Sequence, residues 1–350
     1  MNLYRRSQPV QKTLDVKLNR LRGNPDSREF ILVYAADADM AYGVPAPGAT
    51  YPPQPGARYA FPSMQEYYLH LEELIREEAV EVMLASVSAM DVLARDRRLF
   101  DDSPVTPAIR ANDTTDIWGG RGARYAQSPS RPFASTTLDE ARWGTLLPAP
   151  GQIPDVNLGL YSITFNNDLE ADVRSLEAFK DFRVAATREG FRYFLEVFNP
   201  NVADLGMPPE LTPHYVNDQI ARMLAGIPRA SRPEFLKVAY NGPAAMEELV
   251  HYDRSLVVGI LGGASSTTYD AFKLLAEAKR HGARLALFGR RIKNAEHPLS
   301  FVRMLRAVAD EALAPEEAVR AYRGDLERLG IPPRRSLEED MQLYSPGLLA

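Results

Sequence analysis

The 350-residue sequence contains no cysteine. That absence excludes disulfides, thiolate metal sites, iron–sulfur centres and thiol nucleophiles. No stretch approaches the ~18 consecutive apolar residues of a membrane-spanning helix. The opening residues, MNLYRRSQPVQKTLDVKLNRL, hold no apolar run that could form the core of a signal peptide. The cytoplasm is therefore the expected location. An excess of charge of one sign is also missing: 41 Lys and Arg stand against 46 Asp and Glu, for a formal charge of -5. Such a chain is poorly matched to nucleic acid or to an anionic membrane, yet it leaves room for a local basic pocket around a small phosphorylated ligand. The five histidines, His70, His214, His251, His281 and His297, are widely spaced and form no H-x-H or H-E-x-x-H arrangement. No G-x-G-x-x-G follows the first predicted strand, and neither G-x-x-x-x-G-K-[ST] nor Gly-x-Ser-x-Gly occurs. No cofactor and no metal are expected.

What is present is the composition of a soluble globular protein, 45% hydrophobic and 25% charged. Residues 1–28 are polar and basic, and read as an extension or capping helix outside the core. From residue 30, short β-branched or apolar runs alternate with segments of helical period, the rhythm of βα units. The predicted strands are FILVYAADAD (30–39), VEVMLASVS (80–88), VTPAIRAN (105–112), VNLGLYSITF (156–165), FRYFLEVF (191–198), EFLKVAYN (234–241), SLVVGILGG (255–263) and ARLALFG (283–289). Third in this series is the weakest. Helices are expected between them, including one from about Leu169 to Glu189. Eight such units predict an α/β fold, a (β/α)8 barrel over 29–313, with an open doubly wound sheet as the alternative. Residues 113–154 have no clean period and contain both tryptophans, so they read as a functional insertion after strand three. Residues 314–350 read as a helical tail ending loosely.

Catalytic groups of such barrels sit at the C-terminal strand ends. In EFLKVAYN, alternation puts Phe235, Lys237 and Ala239 on one face. A lysine in so apolar a run must be paired or neutral. Desolvation lowers the pKa of an amine, and an unprotonated amine adds to a carbonyl to give a Schiff base. In FRYFLEVF, Glu196 is the lone carboxylate and shares a face with Phe194 and Phe198. A neighbouring acid can hold the amine and shuttle its protons, whereas a merely structural Lys–Glu pair is costly to bury. Asp37 ends the first strand with the parity of Ile31, Val33 and Ala35; Asp39 reads as a loop or helix cap. The last two strands end in Gly262, Gly263 and Ser265, and in Gly289 and Arg290. Exposed amides, a helix N-terminus and an arginine suit phosphate, and Arg290 is preferred over Arg291 because it adjoins the glycine. Arg110, Asn112, Asp113, Thr164, Asn166 and Asn167 also crowd strand ends, suited to a polyhydroxylated substrate or to turns and caps.

These motifs resemble the class I, Schiff-base-forming aldolases of the deoxyribose-phosphate and archaeal-type fructose-bisphosphate superfamily, particularly the tagatose-1,6-bisphosphate aldolase type and its sulfosugar-phosphate relatives. The resemblance covers residues 190–300 well and the first two strands loosely. It implies that Glu196 in YFLEVFNPN is the strand-five glutamate and Lys237 in FLKVAYNG the Schiff-base lysine. By the same resemblance Gly262, Gly263 and Ser265, with Gly289 and Arg290, bind phosphate, and Asp37 is the aspartate of strand one. The second lysine that the tagatose-bisphosphate type carries on strand four has no counterpart in VNLGLYSITFNND, and 113–154 matches nothing in the family. The implied function is cleavage or formation of a phosphorylated ketose or related sugar phosphate, in a homo-oligomer. The alternatives are a sugar-phosphate isomerase or epimerase using Glu196 as base, and a non-catalytic sugar-phosphate-binding protein.

Overall fold

The computed structural model describes residues 10–24, 26–263 and 266–349. Eight parallel strands close into a barrel: β1 (Ile31–Ala35), β2 (Val82–Ala85), β3 (Thr106–Arg110), β4 (Leu158–Thr164), β5 (Arg192–Phe198), β6 (Leu236–Val238), β7 (Val258–Leu261) and β8 (Leu285–Phe288). Each pairs with its neighbours in chain order, and β1 pairs with β8. The fold is thus the (β/α)8 barrel read from the sequence, with extra helical elements. The strands are near-continuous apolar runs because a barrel strand is covered on both faces. Their outward residues pack under the surrounding helices, while Ile31, Val33, Val82, Leu84, Ala108, Leu158, Leu160, Phe194, Phe235, Val257, Leu285 and Leu287 fill the interior.

Local signals set the helix boundaries. Asp168 accepts a hydrogen bond from the Ala171 N–H and Gly190 adopts the left-handed conformation, so the helix between them runs Leu169–Glu189 as the sequence suggested. Ser63 and Glu66 form a capping box for the helix Met64–Arg76.

Two end segments differ from expectation. The helix Thr13–Gly23 is not outside the core: Leu14, Leu18 and Leu21 join the interior apolar cluster at its N-terminal side. Their i, i+4, i+7 spacing makes one narrow apolar stripe on an otherwise basic helix. The C-terminal end is also held, by hydrogen bonds from Tyr344 and Ser345 to Asp270. Residues 113–154 form a two-stranded ribbon, Asp113–Thr114 with Pro132–Phe133, and a short helix, Leu138–Trp143. Among the described residues no helix is long and apolar enough to cross a membrane.

Candidate active site

Strand register assembles the polar groups. Ser162 lies beside Glu196, Glu196 beside Lys237, and Lys237 beside Gly259. All four have the inward parity of the apolar layer beneath them. Lys237 Nζ is 2.5 Å from Glu196 Oε1. The other carboxylate oxygen, Oε2, accepts from Ser162 Oγ at 2.7 Å and lies 3.5 Å from Arg110 Nη2. Arg110 also donates from Nε to Asp37 Oδ2 at 2.5 Å and from Nη1 to Ser162 Oγ at 2.8 Å. Asp37, Arg110, Glu196 and Lys237 are each at most 6% exposed. Two cations and two anions therefore share a water-poor chamber at the C-terminal half of the barrel. Beyond it, Asn199 and Asn241 exchange amide hydrogen bonds of 2.8 and 2.9 Å, tying the exits of β5 and β6 together.

Burial alone would raise the Asp37 carboxyl, but the Arg110 guanidinium and the Lys237 ammonium hold it below the ordinary carboxylate range. Burial likewise opposes the charge on Arg110, and the anions of Asp37 and Glu196 more than offset it, so its pKa is raised. Asp39 goes the other way. Desolvation raises its carboxyl, a hydrogen bond from Ser86 Oγ at 2.5 Å lowers it in part, and the nearby Asp37 charge raises it further. Asp39 lies in the first turn of the short helix Ala38–Tyr42, whose N-cap position is Asp37, and among the described residues its Oδ1 is buried without a hydrogen-bond partner.

The sequence-chosen catalytic trio, Asp37, Glu196 and Lys237, is brought together. Arg110 and Ser162, which link the three, were not singled out as catalytic. Arg110 was signalled all the same, since it shares parity with the inward Ala108 at a strand end. Asn112 fixes β4 by accepting from the Ser162 N–H (2.7 Å) and donating to the Ser162 carbonyl (2.9 Å). Asp116 ties the insertion to the same strand end, accepting from Thr164 Oγ1 and Ser130 Oγ.

At the exit of β7, next to the lysine strand, Gly262 lies three residues past Gly259, roughly 10 Å further along the strand direction. Gly263 has φ +66, a conformation natural to glycine. At Gly289 a Cβ would meet the Ala35 carbonyl oxygen at 2.5 Å, so β8 leaves the barrel in close contact with β1. Ser265 lies outside the described residues. Arg290 is exposed on the short helix Arg290–Lys293. Its neighbour Arg291 is buried: it donates to the Gly262 carbonyl at 2.5 Å and to Asp270 at 2.7 Å, and among the described residues its Nη1 has no hydrogen-bond partner. Among the described residues no group of three His, Asp or Glu side chains is placed to hold a metal ion.

A (β/α)8 barrel with a buried lysine–carboxylate pair at its C-terminal end is the class that fold and site define. No protein-family model matches the chain, and no curated protein matches it. Solved structures do. A fructose-bisphosphate aldolase from Slackia heliotrinireducens is similar with a TM-score of 0.62 at 14% identity, over 93% of this chain and 96% of that one. An archaeal fructose 1,6-bisphosphate aldolase gives 0.57 at 18% identity, over 85% and 99%. An archaeal fructose-1,6-bisphosphate aldolase with its catalytic Lys covalently bound to the carbinolamine intermediate of the substrate gives 0.56 at 18%, over 85% and 99%. At such identities the likeness establishes the barrel, and function must be argued from the site.

Proposed function

We propose that the protein is a class I aldolase that cleaves or forms a phosphorylated ketose or related sugar phosphate through an imine on Lys237. The observation that carries this reading is the 2.5 Å contact between Lys237 Nζ and Glu196 Oε1 inside the barrel mouth. Nothing in the apolar packing of β6 requires an amine at that position, and a buried ion pair contributes little net stability. The similar structures, fructose-bisphosphate aldolases, agree with the reading.

Glu196 accepts a proton from the ammonium, and the freed amine attacks the substrate carbonyl. A C–N bond forms as the carbonyl oxygen takes up a proton, giving a carbinolamine. Loss of water leaves a protonated imine. A carboxylate, Glu196 with Asp37 beside it, then removes the proton from the substrate hydroxyl as the adjacent carbon–carbon bond breaks. The bonding pair passes into the imine to give an enamine, and an aldehyde leaves. Protonation of the enamine carbon and hydrolysis of the imine return the amine. Phosphate held by Gly262, Gly263 and Ser265, with Gly289 and Arg290, would supply orientation and binding energy away from the reacting carbons.

Borohydride reduction in the presence of ketose phosphates and dihydroxyacetone phosphate, followed by peptide mass mapping, tests this. An adduct at Lys237 is expected, and none in the Lys237→Met protein. If a ligand shown independently to bind is turned over but never trapped, and Glu196→Gln costs more activity than Lys237→Met, the chemistry is instead base-catalysed isomerisation.

A further inference from the structure

From residue 340 the chain returns to the C-terminal face of the barrel. Asp340 Oδ1 accepts from the Thr268 N–H at 2.8 Å, and the Gln342 carbonyl accepts from Thr267 Oγ1 at 2.5 Å. Asp270 Oδ1 then accepts from the N–H groups of both Tyr344 and Ser345, at 2.7 and 2.8 Å. Its Oδ2 accepts from Ser345 Oγ at 2.7 Å and Ser266 Oγ at 2.6 Å. The same oxygen pairs with Arg291 Nη2 at 2.7 Å, and Nη2 also donates to Ser345 Oγ at 3.0 Å. Asp270 is 0% exposed.

One carboxylate thus holds two things at once: the end of the chain and a buried arginine. With Nε on the Gly262 carbonyl and Nη2 on Asp270, the guanidinium plane is fixed, and among the described residues Nη1 remains a buried donor without a partner. A free buried donor is costly unless something occupies it. Past Ser345 the tail runs against the lysine strand's exit. A Cβ on Gly347 would lie 2.1 Å from the Tyr240 carbonyl oxygen, and Tyr240 is three residues beyond Lys237. The tail therefore meets Arg291, which holds the Gly262 carbonyl, and also meets the exit of β6.

Resting on the aldolase reading above, we propose that Asp270 is a positioning residue and that the tail it latches, Tyr344–Leu349, is a wall of the substrate site. Asp270 directs Arg291 Nη1 toward the anionic end of the substrate, and it docks the tail in the same act. Discrimination between phosphorylated and unphosphorylated substrate then depends on residues about 30 to 110 positions away from the lysine in sequence.

The test uses three proteins besides the wild type: one lacking residues 344–350, Gly347→Ala, and Asp270→Asn, each confirmed as folded by its denaturation midpoint. Two readouts are taken. The first is the half-saturating concentration for borohydride trapping at Lys237 by dihydroxyacetone phosphate and by dihydroxyacetone. The second is calorimetric binding of inorganic phosphate. The value for dihydroxyacetone phosphate is expected to rise at least ~10-fold, the weight of one charge-assisted hydrogen bond, with dihydroxyacetone changed less than ~2-fold. Phosphate binding should weaken in parallel. Should Asp270→Asn fail to fold, the deletion and Gly347→Ala decide. Unaltered phosphate binding in those variants, or none in the wild type, overturns the proposal. If the wild type binds phosphate in a tail-dependent way but no carbonyl compound is ever trapped at Lys237, the wall stands and the aldolase reading falls.

Discussion

Arg110 reaches Asp37, Ser162 and Glu196 from a single strand position, so its guanidinium is the countercharge that lets two carboxylates share the chamber with one ammonium. Removing one member of a buried charge set leaves the others uncompensated, a larger loss than the set's net worth. Arg110→Met is expected to cost about 3–5 kcal/mol in urea denaturation. Arg110→Lys should recover only part of that, because an ammonium cannot donate from three forked nitrogens in one plane. Lys293 offers a test by pH. Burial, then repulsion from Arg290, pushes its ammonium down to about 8, although Asp37 and Asp39 pull the other way. Its folded pKa is lower than its unfolded value of 10.5. Between about 8 and 10.5 the unfolded chain binds the extra proton, so this group's penalty is relieved and stability rises with pH. Below about 8 the full penalty is present, reduced by the solvent that still reaches this half-buried amine. Denaturation midpoints of Lys293→Met should exceed the wild type at pH 7, with the gap closing toward pH 10; a gap independent of pH would refute the depressed amine.

At the scale of strands and helices, the apolar runs, the caps and the glycines were enough to read the barrel. Parity within β5 and β6 was enough to place Glu196 and Lys237 together, because the parallel register of neighbouring strands does the rest. Arg110 was harder to see because Pro107 interrupts the β3 run and the strand looked weak. The basic helix Thr13–Gly23 hid its role because three leucines make its whole apolar stripe. Residues 340–349 were illegible for a different reason: backbone N–H groups and one distant carboxylate hold them, and neither leaves a periodic pattern. Glycine at 259 shows how tightly the register is drawn. A Cβ there would lie 2.1 Å from Leu285 Cγ and 2.7 Å from the Leu285 carbonyl oxygen. Gly259→Ala should therefore force β7 and β8 apart and cost about 1–3 kcal/mol by thermal denaturation. Leu285→Ala removes the nearer obstacle. The double variant is expected to lose less than the sum of the two single losses, whereas strict additivity would mean the strands had not been in conflict.

Across the whole molecule, the two ends of the chain serve opposite faces of one barrel. At the N-terminal face, Leu14, Leu18 and Leu21 close the apolar interior, against a layer in which Phe194 and Phe235 stack with centroids 4.5 Å apart. Polar ties fix that plug. Lys17 pairs with Glu81, Arg22 with Glu234, and Arg192 with Asp15. The buried set Asp37, Arg110, Glu196 and Lys237 occupies the other face, where Asp116 ties the insertion and Asp270 ties the tail. Barrels divide stability and catalysis in this way, so the division makes a prediction that spans both ends. Leu18 is 1% exposed, and Leu18→Ala should cost about 2–5 kcal/mol by loss of transfer energy and by the cavity left behind. The denaturation midpoint should fall accordingly. At a temperature where the variant remains folded, its half-saturating concentration of dihydroxyacetone phosphate for trapping at Lys237 should match the wild type, because the plug packs against the apolar interior and, among the described residues, no hydrogen bond or ion pair joins it to Asp37, Arg110, Glu196 or Lys237. A variant that keeps its midpoint but loses trapping would show that the N-terminal helix shapes the chamber directly, and that the two faces are not independent.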